Sequence, residues 1–420
     1  VKDKRKSEIP VDEGGGKSMS TSMTTRQRLV ATLDFEACDH PPYWEWAYWP
    51  ETLDRWYGEG LQREAGYPAT MKKSDPLNGG AGDWRPPMPR EQDARKSLDL
   101  DDGYFHPPVW GRLLMPRHPV VLEEDERFTI FVDEDSVTKK ILKDSMSMPM
   151  FLDYPIKGRK DWEEIKANLN MTFRDRIPEN WEQVVAPLKN DDRAFPVSLL
   201  GFPEGLFGHL RDLLGVDYLM IAVYDEPMMI HEILETLTDL WICLWEEEVA
   251  QFEADSVTFW EDMCFRSGPL ISPKMFKEFL LPRYKRLTEA GRAMGIRHFL
   301  VDSDGDMRML IPLWIEGGIT GIYPFEVQAG MNVEEIGQQY PELGLMGGID
   351  KREIDKGPQA IDRELERRLP FLLQRGGYVP TLDHHVTPEV SWPNFVYYRK
   401  KIAEYCEQYS PFVAKDKRLR

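Results

Sequence analysis

Arg297-His298-Phe299-Leu300-Val301 runs directly into Asp302-Ser303-Asp304-Gly305-Asp306, an apolar stretch that empties into carboxylates, and a helical pattern over 307–316 follows. The same unit recurs after residue 190. Apolar runs at 195–200, 257–260, 321–323, 343–346 and 378–380 alternate with helical patterns at 227–251, 273–294, 359–375 and 392–408. Short strands separated by amphipathic helices are the mark of parallel βαβ units. With a further strand at 43–46, these runs nearly complete a ring of eight. The spacing therefore predicts an α/β fold of the (β/α)8 TIM-barrel class. A doubly wound open sheet is the rival, but no Gly-rich phosphate fingerprint supports it.

Outward from that repeat the chain is plainer. Thr24 or Thr25 can cap a helix whose apolar face is Leu29, Val30 and Leu33, and Asp39-His40-Pro41-Pro42 ends it. Residues 1–23, rich in Lys, Ser and Gly, read as a flexible tail, 24–412 as one barrel domain with an N-terminal extension, and 413–420 as a second tail. Residues 77–90, rich in Gly and Pro, suit a surface insertion, and 128–133 with 137–142 alternate as an inserted hairpin would.

The composition, 41% hydrophobic and 30% charged, supports a sizeable core. A net charge of −19 argues against nucleic acid or an anionic membrane as partner. Cys38, Cys243, Cys264 and Cys406 show no paired spacing, as expected in a reducing compartment. No run of about 18 apolar residues and no leader pattern is found, so a cytoplasmic location is the expectation. A homodimer is allowed, and nothing in the sequence calls for it.

Several segments resemble the uroporphyrinogen-decarboxylase-like superfamily, which also contains corrinoid-linked methyltransferases. They are Thr24-Thr25-Arg26-Gln27-Arg28 with Asp39-His40-Pro41-Pro42, then Glu261-Asp262-Met263, Gly268-Pro269-Leu270-Ile271-Ser272-Pro273 and Phe279-Leu280-Leu281-Pro282. Gly347-Gly348-Ile349-Asp350 and Gly376-Gly377-Tyr378 follow in the same order. Two departures stand out. Where porphyrinogen decarboxylases carry an Arg-rich segment for the substrate's carboxylates, this chain reads Tyr43-Trp44-Glu45-Trp46-Ala47-Tyr48-Trp49-Pro50. Where the thiol-methylating relatives hold zinc through His and Cys, it has Asp302-Ser303-Asp304 and Asp383-His384-His385.

In a barrel, residues that follow strands gather at one end, which marks Asp302, Asp304, Glu261, Asp262 and Glu326 as catalytic candidates. Adjacent acids raise one another's pKa, so one can stay protonated as a general acid. Helix capping is the plain alternative. A calcium loop is excluded, since its sixth and twelfth positions hold Met307 and Leu313. Glu261 and Asp262 are neighbours whose side chains diverge, so only one should face the pocket.

Asp302, Asp304 and His384 could hold zinc in an oxygen-rich site; His384 as a hydrogen-bonded loop histidine is the alternative. Trp44, Trp46, Tyr48 and His385 are candidates for substrate contact, against a reading in which the aromatics glue a lid to the barrel. Cys264 reads as a small buried residue.

The resemblance and its departures together imply a methyltransferase of O-demethylase type. It would move a methyl group from a small, methoxylated aromatic compound to a corrinoid on a partner protein. The alternatives are a decarboxylase of uroporphyrinogen or a related acid, and a non-catalytic binding barrel.

Overall fold

The computed structural model describes residues 23–63, 91–101, 103–143, 149–190 and 192–409. The expected tails (Met23 apart) and the insertion at 77–90 lie outside the described residues. Its strands are β1 Val120–Glu124, β2 Phe128–Val132, β3 Thr138–Leu142, β4 Met150–Asp153, β5 Ser198–Leu199 and β6 Ser256–Trp260. They continue with β7 Cys264–Phe265, β8 Gly268–Pro269, β9 His298–Asp302, β10 Gly321–Tyr323, β11 Gly344–Met346 and β12 Tyr378–Val379.

Six strands form one parallel sheet in the order β12-β11-β10-β9-β6-β5, each next to its neighbour in the chain once the small β7–β8 hairpin is set aside. All the repeat units of the sequence lie in it, joined by helices such as Pro227–Val249, Leu281–Ala293 and Pro358–Arg375. A ring of eight hydrogen-bonded strands is not present among the described residues. Phe105 adds only an isolated parallel bridge to Val197 beyond β5. Residues 43–46, expected as a strand, make no ladder because their backbone is bonded elsewhere. The Tyr43 carbonyl accepts from the Asp101 N–H (2.8 Å) and the Trp44 carbonyl from the Arg399 guanidinium (3.2 Å).

Strand alternation sorts the side chains into two layers. On β6 and β9, Val257, Phe259, Phe299 and Val301 face the helices and pack with Trp241, Trp245, Tyr284 and Leu287, all fully buried. Each such side chain contributes roughly 1.5–3 kcal/mol. The opposite face gathers Leu300, Tyr323, Met346 and Val379 with Trp44, and with Leu29 and Leu33 from the helix Thr25–Leu33. That helix begins in a capping box, Thr24 accepting from the Gln27 N–H while Gln27 returns the bond. Asp302 has the parity of Leu300. It therefore projects on the inner face at the carboxyl end of β9.

Residues 128–132 and 138–142 pair antiparallel, Phe128 opposite Leu142, and β1 and β4 flank them to make a separate four-stranded sheet. The helices Leu206–Leu214 and Val216–Asp225 had no counterpart in the sequence reading. The helical pattern at 273–294 contains a π-turn at Phe276–Leu280.

Candidate active site

Asp302 ends β9, directly across the sheet register from Trp260 on one side and Tyr323 on the other. Its carboxyl oxygens take no hydrogen bond from any described residue. Burial, then the nearby Asp304 and Asp262, push its pKa well above the usual carboxylate range. Trp46 lies against Tyr323, ring centroids 4.2 Å apart, and Arg211 lies over the Trp260 ring at 4.6 Å.

Beside Asp302 stands a trio that the chain folding brings together. One ligand-capable atom from each of Asp304, Glu326 and His384 lies within 4.8 Å of the others. His384 Nε2 is 3.4 Å from Asp304 Oδ2. Burial would lower the imidazole, but the bond to Asp304 and its charge carry it above its usual value. Burial likewise opposes ionisation of Asp304, and His384 brings it below the usual range. Glu326 is raised by burial and by Asp304, and it accepts the Gly305 N–H at 3.0 Å. The expected metal trio was Asp302, Asp304 and His384; Glu326 takes the place expected for Asp302. The reason is position. Asp302 is still on the strand, whereas Asp304 and Glu326 sit in the loops that follow β9 and β10.

Asp383 explains how these loops meet. Fully buried, it accepts the Val327 N–H (3.0 Å) and the Lys351 N–H (3.3 Å), and its Oδ1 lies 3.6 Å from Lys351 Nζ. One carboxylate thus ties the loop bearing Glu326 to the helix Lys351–Asp355 and to its own neighbour His384. His385 is buried and stacks on His384, centroids 4.4 Å apart, with Trp49 at its edge. It supports His384 rather than opening onto the pocket.

The paired acids diverge as alternation requires. Asp262 turns to the site, takes Arg211 at 2.9 Å, and is raised by burial despite that partner. Glu261 is fully buried on the other side and is corrected from catalytic candidate to structural anchor. It accepts the N–H groups of Leu206 (2.9 Å), Phe207 (2.6 Å) and Gly208 (3.2 Å), and the Tyr284 hydroxyl. These are the unpaired donors at the amino end of the helix Leu206–Leu214.

The aromatic segment is corrected in the same way. Tyr48 is 2% exposed and packs edge-on to Trp56 and Phe395 in the helical layer. Trp44 is buried in the inner cluster, and Glu45 is locked to Arg399 at 2.6 Å. Of the segment's expected contacts, Trp46 alone is half-open. The cations Arg211 and Lys351 and the rings of Trp260 and Tyr323 were missed by the sequence reading. Trp260 and Tyr323 could have been found, since each ends an apolar run at inward parity. Cys264 is buried, its thiol pushed up to about 12 by burial, as suits an inert residue.

No described helix is long and apolar enough to cross a membrane. Residues 142–405 match the family described as uroporphyrinogen decarboxylase (URO-D). No curated protein matches the chain. Among solved structures, a methyltransferase from Methanosarcina mazei is similar in fold, with a TM-score of 0.54 at 14% identity. The match covers 91% of this chain and 100% of that one.

Proposed function

The chain belongs to the uroporphyrinogen decarboxylase family, and from that premise we propose that it is a methyltransferase of O-demethylase type, passing the methyl group of a small methoxylated aromatic compound to a corrinoid protein. The observation that carries this reading is the His384–Asp304 pair, with Glu326 beside it, in the loops after the strand ends; the half-open Trp260 lies in register with Asp302, and Trp46 packs on Tyr323. A methyl ether is inert because its oxygen leaves poorly. Proton donation to that oxygen as the carbon–oxygen bond breaks removes the obstacle. His384, carrying a proton through its pairing with Asp304, is placed to give it; a corrinoid on a partner protein would supply the nucleophile for the methyl group. The six-stranded sheet is then the larger part of a TIM-barrel wall. The segments 43–46 and 103–106 would complete it, since Trp44 and Tyr104 pack with the inner cluster.

Asp304, Glu326 and His384 also fit a metal ion such as zinc, offering one nitrogen and two oxygen donors. Bound there, the ion would polarise the ether oxygen in place of the proton. Decarboxylation of uroporphyrinogen is disfavoured by the same geometry. Among the described residues, the site cations Arg211 and Lys351 already face Asp262 and Asp383, and the segment Tyr43-Trp44-Glu45-Trp46 carries no Arg fork.

The test mixes purified protein with reduced cobalamin, or a corrinoid protein, and a panel of methoxylated compounds. Methyl-cobalt, read by its visible absorption, is the expected product. Carbon dioxide release from uroporphyrinogen, without methyl transfer from any donor, would overturn the proposal in favour of a decarboxylase.

A further inference from the structure

We propose that the free edge of β1 is an interface for a second copy of this chain, the two β1 strands lying antiparallel about a two-fold axis so that their four-stranded sheets join. Of the fourteen large hydrophobic side chains exposed among the described residues, seven lie in this small sheet, and Val120, Val121 and Leu122 are consecutive on β1. The sheet is a fixed platform. Buried Arg112 holds Asp135, between β2 and β3, at 2.8 Å and Asp212 on the helix Leu206–Leu214 at 2.7 Å. β1 is hydrogen-bonded on one side only, to β2, and all five of its residues are exposed. An edge that must stay single is commonly blunted by charges or proline among its central residues. Here the centre is apolar, and Leu122, left outside the ladder by a register shift against β2, is 59% exposed.

What selects a second copy is the order of charge along the edge. Arg117 precedes the apolar residues, and Glu123, Glu124, Asp125 and Glu126 follow them. Two such strands in parallel would set acid against acid. Antiparallel, each copy's Arg117 lies along the other's acidic run while the apolar centres meet. Glu124 is already paired with Lys143 within the copy at 2.7 Å. Arg117, Glu123 and Glu126 are exposed and have no ion pair among the described residues. One patch that complements itself is what a two-fold dimer requires. The opposite edge, β4, lacks this pattern, since residues 144–149 hold no cation.

A five-residue edge buries less than the roughly 800 Å² a side of a standard interface, so a dissociation constant on the order of 10 μM is expected. Sedimentation velocity of the full chain, at concentrations bracketing that value, should show monomer passing to a species of twice the mass. Hydrogen exchange of the β1 amides should slow in step. Leu122→Lys brings like charges together at the axis and should weaken association at least ~10²-fold, and Arg117→Glu about tenfold. Met150→Lys, on the opposite edge, should leave it unchanged. All three positions are exposed, so the variants should fold, as circular dichroism will show. A chain that stays monomeric throughout overturns the proposal, whether a foreign protein or another segment of the chain then covers the edge. So does a dimer that Leu122→Lys leaves intact or that Met150→Lys dissociates, since each places the contact elsewhere. The inference stands apart from the methyl-transfer reading, and neither result bears on the other.

Discussion

Replacing Glu261 by Gln separates its two readings, anchor and catalyst. Each carboxylate oxygen is used twice. Oε1 accepts from the Leu206 N–H and the Tyr284 hydroxyl, and Oε2 from the N–H groups of Phe207 and Gly208. An amide must put its NH2 where one oxygen stood. The cheaper orientation faces Tyr284, whose hydroxyl can turn and accept, leaving the Leu206 N–H orphaned. A buried donor without a partner costs roughly 1–3 kcal/mol. The three remaining bonds also lose their charge assistance, which makes such bonds about twice as strong as neutral ones. Glu261→Gln should therefore destabilise the protein by about 2–4 kcal/mol, a large share of the roughly 5–15 kcal/mol typical of a folded domain. Urea unfolding of parent and variant measures this directly. The folded fraction of the variant should retain the proposed methyl-transfer activity. A variant of parental stability with abolished activity would refute the structural assignment and return Glu261 to the catalytic set.

Gly205→Ala should be more damaging than helix propensity suggests, because a Cβ there would lie 1.7 Å from the Trp260 carbonyl oxygen. A loss of about 3 kcal/mol, or failure to fold, is expected from such overpacking, and unfolding midpoints will show it. Burial pushes Glu91 up to about 7, above an unfolded value near 4.3. Its contribution to stability is therefore complete below about pH 4.3 and is lost as pH rises through about 7, on the order of 3 kcal/mol. Denaturant curves across pH 5–8 should be flatter in Glu91→Gln, and an unchanged slope would exonerate the group. His384→Gln should lower methyl transfer at least ~10²-fold, the low end for a positioned acid, with little change in melting temperature; near-parental turnover would remove His384 from the mechanism.

Much of the site was legible because βαβ order is written in short-range pattern. An apolar run ending in Asp302 announces a strand whose last carboxylate lies at its carboxyl end, whatever the sheet around it does. The same logic placed Glu326 and His384 in the segments that follow β10 and β12, and anticipated that Glu261 and Asp262 would part company. It failed at residues 43–49. There, aromatic density says nothing about which neighbour each ring meets, and Glu45 and Tyr48 went to Arg399 and Trp56. The short helices at Leu206–Leu214 and Val216–Asp225 were missed as well. With them went Arg211.

What the sequence determined by itself is therefore the alternation of strand and helix, the end of each strand at which acids accumulate, and the lack of an Arg fork. These follow from periodicity and side-chain chemistry, which are local. The tertiary structure alone decided which acid is an anchor and which is open. Glu261 and Asp302 are both strand-end carboxylates, yet one is met by three backbone donors and a hydroxyl, the other by no described donor. It also decided that Glu326, not Asp302, joins Asp304 and His384. That choice depends on Asp383 drawing loops more than 20 residues apart in the chain onto one carboxylate. Hydrogen-bond satisfaction is set by partners that distant stretches bring, and local sequence cannot encode who arrives.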